Sequence, residues 1–419
     1  MTSILTAKRK YSLETSMVLC FILPPAGIFL LLLIGSCFLH RTCREGRRIN
    51  LTVGHFLLSC MFLSTIGSAI VMQDYSYFLI SAMILAYLGL YLKIMNDGIL
   101  RIFVAFKWIT ICGGLYYYVL YPFQHILVEQ PIMSYIVGTA LVGPFNLENI
   151  QRLRGAAYNP NFTVTLLLLG LSFLLAESLK SLRKSAYLTL CMQLLVTGLF
   201  IHAIFLTGSK AGFSIMLIIL MLTVFRWSRM LSFHFACLLA ANIPMLIGLM
   251  PRSAQLWASA DTRKVIWEHS FHLWQEQSLF GMTPIGFYKE YFYFYHAKLP
   301  HAHNMVLGMF TEYGALGGIA FLIVVIINIY KVLSLYCLKQ TNKEHLDVFL
   351  LSLPVILLTG IFDYVLYSPQ VAVIAIILLA SWDKYTARIS LVNPLVISYV
   401  KKWSWTLFLK NSKNRESVK

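Results

Sequence analysis

Apolar runs of about 20 residues recur along this chain, and nothing else in it constrains the fold as strongly. A helix needs about 20 apolar residues to cross the hydrocarbon core, because lipid offers no partner to a free backbone N–H or C=O. The runs fall at 17–40, 51–71, 77–93, 103–121, 162–179, 187–206, 211–225, 231–250, 316–335, 346–363 and 369–382, about eleven spans. The first is too long for the apolar region of a cleaved signal and reads as a span. Pro131 to Phe145 is broken by Gly138, Gly143 and Pro144, and reads as an interfacial or re-entrant piece. The expected fold is an all-α integral membrane protein, a polytopic bundle of about 11–12 transmembrane helices. Composition agrees, with 58% hydrophobic and 12% charged residues where a soluble chain carries about 25% charged. Disorder and a secreted disulfide scaffold are excluded.

A net charge of +17 raises the question of a nucleic-acid partner, so the position of the cations matters. Alternating the spans puts about 22 of the 34 Lys and Arg on one face, which is then cytoplasmic. They include Arg41 to Arg48, Lys180 to Lys184, Arg226, Arg229 and the basic tail. No nucleic-acid partner is expected. Lys8, Arg9 and Lys10 land on the wrong face, which points to a miscounted span near the N-terminus. The chain divides into an N-terminal membrane region (1–150), a middle region (151–335) with an external loop at 251–315, and C-terminal helices with a cytoplasmic tail (336–419). The cysteines lie in or beside spans or in a cytoplasmic loop, so no external disulfide framework is implied. Trp257, Trp267, Trp274 and the run Tyr288 to Tyr295 in the external loop read as an interfacial belt, with a sugar-stacking platform as the alternative.

Eight cations face outward against the orientation bias: Arg152, Arg154, Lys210, Arg252, Arg263, Lys264, Lys289 and Lys298. Arg252, Lys264, Lys289 and Lys298 read as ordinary solvated loop charges. Lys210 follows Thr207-Gly208-Ser209 at the start of a span, where a helix N-terminus suits an anion. Arg263 and Trp267 stand one helical turn apart, and Trp274 shares their face. Convergent cations suit a diphosphate, since Arg binds phosphate oxygens bidentately and Lys acts as a point charge. His301-Ala302-His303-Asn304 precedes the ninth span. A histidine is the usual general base at neutral pH when a neighbour orients its second nitrogen, here Glu312, Asn304 or a backbone carbonyl. The alternatives are a structural histidine pair, or a zinc site drawn from His296, His301, His303, His269, His272 and Glu276, for which no specific spacing is present.

Four segments, in order and on one face, carry a resemblance. They are Arg152-x-x-Gly155 with Pro160-Asn161, Thr207-Gly208-Ser209-Lys210, Arg263-x-x-x-Trp267 with Gly281, and His301-x-His303-Asn304 with Glu312-x-Gly314 and Gly317; Asp363 is a further match. The chain resembles the bacterial O-antigen ligase and O-antigen polymerase family over residues 150 to 335. The resemblance implies a GT-C-like glycosyltransferase of the cytoplasmic (inner) membrane, active on its external, periplasmic face. The implied donor is an undecaprenyl-diphosphate-linked glycan, and the acceptor a glycan or lipid A core hydroxyl. Membrane lipid and a chain-length regulator are the further partners it implies. The implied reaction is inverting and metal-independent, with no cofactor. By matching position, His303 and His301 become the catalytic histidines and Arg263, Arg152 and Lys210 the diphosphate ligands. Arg154, Asn304, Glu312 and Trp267 are candidates for supporting roles. Lys210 departs from the family's usual arginine, which keeps the charge and loses the bidentate geometry. A transporter of small anions and an oligosaccharide transferase acting on protein are the competing readings.

Overall fold

The computed structural model describes residues 12–46, 51–97, 99–128, 130–141, 151–338 and 343–387, and no strand occurs among them. The all-α expectation holds. Nine helices among the described residues are long and apolar enough to cross a membrane, or ten with one bent pair, against about eleven expected.

The chain opens with α1 (Ser12–Ile22) and α2 (Pro24–Arg44), where a single span at 17–40 was expected. Pro24 supplies no N–H, so the helix ends at Leu23 and the chain turns back. A Cβ on Gly27 would lie 2.0 Å from Cys20 N, so only glycine lets the two helices meet this closely. Glu14, near the start of α1, pairs with Arg101 at 2.6 Å, while Cys20 O accepts from Gln370 near the opposite end of the bundle. The chain therefore rises from the basic face along α1 and returns along α2. At 11 residues α1 is short for a full crossing, and Lys8, Arg9 and Lys10 lie outside the described residues.

Next come α3 (Val53–Val71), α4 (Phe78–Asn96) and α5 (Ile99–Leu120). The segment expected to be interfacial or re-entrant contains α7 (Pro131–Val137), preceded by α6 (Gln124–Val128); both are far too short to cross. Gly138 ends α7 with φ 82°, the left-handed cap that glycine adopts freely.

Helix α8 (Pro160–Arg183) is the axis of the molecule, with Leu166 to Leu169, Leu171 and Phe173 all at 0% exposure. A helix apolar all round sits inside a bundle. Around it run α9 (Tyr187–Leu206) and α10 (Lys210–Trp227). The predicted span 231–250 is instead α11 (Arg229–Ala241) and α12 (Ile243–Leu249), bent by 74° where Pro244 removes a donor.

The external region holds α13 (Leu256–Glu276) and α14 (Thr283–Tyr295) over a small core of Leu273, Met282, Phe287, Tyr291 and Ala302. Helix α15 (Met305–Leu338) begins well before the expected 316, so the loop reaches only to Asn304 rather than 315. The chain continues through α16 (Lys343–Phe362) and α17 (Pro369–Thr386).

The cations assigned to one face do converge. Asp347 binds both Arg183 and Arg226, Glu344 binds Lys180 and Lys184, and Asp383 binds Lys331 at 2.7 Å. Lys107, inside a span, pairs with Glu177.

Candidate active site

Helix α15 is broken at Gly314 (φ 61°, ψ −167°), and the loop between α13 and α14 fills the break. Ala315 N donates to Ser278 O at 2.7 Å, and Met282 N to Thr311 O at 3.0 Å. Ser68 Oγ, from α3, donates to Gly281 O at 2.8 Å. A Cβ on Gly314 would lie 2.2 Å from Leu279 O, and one on Gly281 2.4 Å from Gly314 N. Both glycines also have positive φ, so spacing and conformation each demand them. The break seats α13 and α14 against the start of α15, where the histidines lie.

His303 Nδ1 is 2.9 Å from Asp363 Oδ1, 60 residues further along the chain. The other carboxylate oxygen accepts from Asn161 Nδ2 at 2.7 Å, and Tyr364 N donates to Oδ1 at 2.9 Å. A carboxylate on Nδ1 fixes the ring and leaves Nε2 outside that bond. Burial pushes the Asp363 carboxyl up, but the adjacent His303 and His301, with the hydrogen bonds from His303 and Asn161, outweigh it and hold it below the usual carboxylate range.

The His303 backbone is left-handed (φ 49°), uncommon for a residue with a side chain. His303 N donates to His301 Nδ1 at 3.3 Å, and Trp267 Nε1 donates to His303 O at 3.3 Å. These bonds hold the strained conformation in place. Asn304 caps α15, accepting from Leu307 N at 3.0 Å, and donates to Ile361 O at 3.0 Å. That second bond brings the end of α16, and hence Asp363, to the histidines.

His301 is 3% exposed, and burial lowers its pKa to about 3. Its Nδ1 accepts the His303 N–H, so the 3.6 Å approach to Asp363 Oδ1 is between two acceptors and is no ion pair. The His301 ring packs against those of His303 and Tyr367.

The cations divide by what they touch. Arg152 Nε donates to Thr207 O at 2.6 Å and its Nη2 to Asn161 Oδ1 at 3.1 Å, which fixes the amide that holds Asp363. Lys210 is 9% exposed and donates to Gln255 O at 2.6 Å and Ser259 Oγ at 2.9 Å. Arg252 Nε reaches Gly208 O at 3.0 Å, so this residue, read as a solvated charge, belongs to the same cluster. Arg263, half-buried one turn before Trp267, makes no hydrogen bond or ion pair among the described residues. Arg154 is fully buried, its three guanidinium nitrogens unpartnered among the described residues, and burial lowers its pKa.

Glu312 does not orient the histidines. It lies buried two turns into α15 beside Tyr364, with no hydrogen bond to either histidine. Asp363 takes that role. Asn161 and Asp363 were visible only through the family resemblance, with no role assigned to either.

The wider histidine set considered for zinc does not assemble. His269 stacks on Tyr295 with centroids 3.6 Å apart, and its Nδ1 meets Tyr291 OH at 3.1 Å. His301, His303 and Asp363 do bring three ligand atoms within 4.8 Å of one another. Nδ1 of each histidine is engaged within the cluster, and the Nε2 atoms take no part in those bonds.

Residues 194–322 match the family model described as O-antigen ligase, which supports the O-antigen ligase and polymerase family for this chain. The matched stretch contains Lys210, Arg263, Trp267, both histidines and Glu312, while Arg152, Asn161 and Asp363 lie outside it. No curated protein matches the chain.

Proposed function

We infer that the chain matching O-antigen ligases at residues 194–322 transfers a glycan from an undecaprenyl-diphosphate-linked donor to a sugar hydroxyl. The acceptor belongs either to lipid A core or to another lipid-linked repeat. The observation that carries this reading is the His303–Asp363 pair at 2.9 Å, set among cations on the face opposite the basic one. That face is read as periplasmic.

The donor carries its own leaving group, so the protein has two tasks. His303 Nε2 takes the proton of the acceptor hydroxyl as the oxygen attacks the anomeric carbon, and Asp363 stabilises the imidazolium that forms. Arg263 meets the charge that develops on the departing diphosphate. Arg152 and Lys210 supply positive potential from behind, through positions already bonded to the protein. Attack opposite the diphosphate inverts the anomeric centre in a single displacement. The dyad needs no metal to generate the nucleophile, and the reaction is assigned as metal-independent.

Reconstitution tests this. Purified protein in liposomes with a lipid-linked repeat and an acceptor should release undecaprenyl diphosphate and give a product of inverted anomeric configuration, with full activity after exhaustive chelation. Failure to release diphosphate with either acceptor class overturns the assignment; dependence on added zinc overturns the metal-free part. Polysaccharide profiling of a deletion strain separates the two acceptors. A single repeat left on the core indicates a polymerase, and free lipid-linked polymer indicates a ligase.

A further inference from the structure

Two acceptors face each other behind the dyad. His301 Nδ1 takes the His303 N–H at 3.3 Å, so it carries a lone pair and no proton, and it stands 3.6 Å from Asp363 Oδ1. A carboxylate oxygen and an imidazole lone pair held that close ask for a cation between them. His303 Nδ1 lies 2.9 Å from the same oxygen. Around a tetrahedral Zn²⁺ with bonds of about 2.0–2.1 Å, neighbouring ligand atoms stand about 3.3 Å apart. The two separations bracket that value, and the cluster brings three ligand atoms within 4.8 Å of one another. Outer partners already hold the ligands, as metal sites require. Asn161 Nδ2 and Tyr364 N fix the carboxylate, and the rings of Phe162, Tyr364 and Tyr367 surround His301. His301 and Asp363 are buried, while the His303 side chain, 26% exposed, leaves a way in. Two imidazoles with one carboxylate suit Zn²⁺, whereas Mg²⁺ and Ca²⁺ take oxygen ligands.

We propose that His301, His303 and Asp363 form an inhibitory Zn²⁺ site, the inhibition resting on the transferase reading above. Without the ion, His303 Nδ1 carries the proton, donates it to Asp363, and leaves the lone pair on Nε2. Zn²⁺ needs a lone pair on Nδ1, so the other tautomer must form. Bonds form from the ion to Asp363 Oδ1 and to both Nδ1 atoms. The N–H bond at His303 Nδ1 breaks and one forms at Nε2 through solvent, so no proton is gained or lost overall. An Nε2 that carries a proton cannot accept one from the acceptor hydroxyl. The ion therefore disables the base from behind, leaving Arg263 open to the donor. What is given up is the 3.3 Å bond from His303 N, the longest in the cluster.

Three measurements test this. Wild-type protein in nanodiscs should take one equivalent of Zn²⁺ in competition with a fluorescent chelator, and excess Mg²⁺ should not displace it. X-ray absorption at the zinc edge should show two imidazole nitrogens at about 2.0–2.1 Å. The absence of a saturable site, or fewer than two imidazoles, overturns the proposal without any variant. Second, Asp363→Asn keeps an oxygen but removes the charge, and should weaken Zn²⁺ binding about tenfold or more, since even an outer partner is worth that much. His269→Ala should bind as the wild type does; the reverse pattern puts the ion on the outer histidines and overturns the site. Third, in the reconstituted assay at buffered free Zn²⁺, turnover at saturating donor should fall about tenfold or more and recover with EDTA. Stimulation, or inhibition that saturating donor relieves, overturns the inhibitory role. A protein that transfers nothing in the absence of zinc sinks the transferase reading instead, and the binding measurements still decide the site.

Discussion

The two ends of this bundle use the same kinds of charge in opposite ways. At the basic end, acids neutralise the cations directly: Asp347 holds Arg183 and Arg226, Glu344 holds Lys180 and Lys184, and Asp383 holds Lys331. At the histidine end, Arg152, Arg252 and Lys210 are bonded to backbone carbonyls, an amide and a hydroxyl, while Asp363 is reserved for His303. Carbonyls position a cation without cancelling its charge. At one end the acids sit directly on the cations; at the other the buried acid sits on the base, and Arg263 makes no ion pair among the described residues.

The sharpest test of that contrast is His303→Ala, expected to lower transfer by about 10²–10⁴-fold while the protein inserts and folds normally. Near-normal activity in the reconstituted assay would remove the dyad from the mechanism. Arg263→Ala should weaken undecaprenyl diphosphate binding by roughly 10–100-fold, the range of a lost charge-assisted contact. Unchanged affinity by competition binding would place the diphosphate elsewhere. At the basic end, Asp347→Asn should cost about 3 kcal/mol of stability by leaving two cations unpaired, with activity per folded molecule unchanged. If activity falls faster than thermal stability, the two ends are coupled and the contrast is wrong.

A further effect is expected on acid stability. Burial holds His301 unprotonated down to about pH 3, whereas an unfolded histidine takes up its proton near pH 6.5. The unfolded chain therefore binds more protons between those values, and stability falls as pH drops from about 6.5 towards 3. Between pH 6.5 and 4 the Asp363 carboxylate is not yet involved, so His301→Gln should flatten the melting-temperature profile there. A variant as acid-sensitive as the wild type would show that His301 is not the titrating group.

Much of the architecture was legible because its signals are local. Span length and Lys and Arg bias each act over a few residues, and they gave most helices and the basic face, while the site residues came from the motif resemblance. The helix break at Pro24, within the expected span 17–40, was not foreseen. Other features escaped for particular reasons. Residues 231–250 are apolar throughout, so hydropathy did not register the bend near Pro244. Gly314 breaks a helix only because Ser278 to Met282 supply replacement hydrogen bonds. Glu312 stands closer in sequence to the histidines than Asp363 does, and it was one of three orienting groups left open, none of them Asp363.

The sequence by itself determined a helical membrane protein, its charge asymmetry and the residue types its candidate site employs, because lipid imposes helical backbone and burial of apolar surface whatever the tertiary arrangement. The tertiary structure decided which acid meets which base. Asp363 reaches His303 across 60 residues and Asn161 across 202, through bonds of 2.9 and 2.7 Å. Hydrogen bonds are short-ranged and directional. A pairing of that kind depends on how α8, α15 and α16 pack, and no local spacing encodes it.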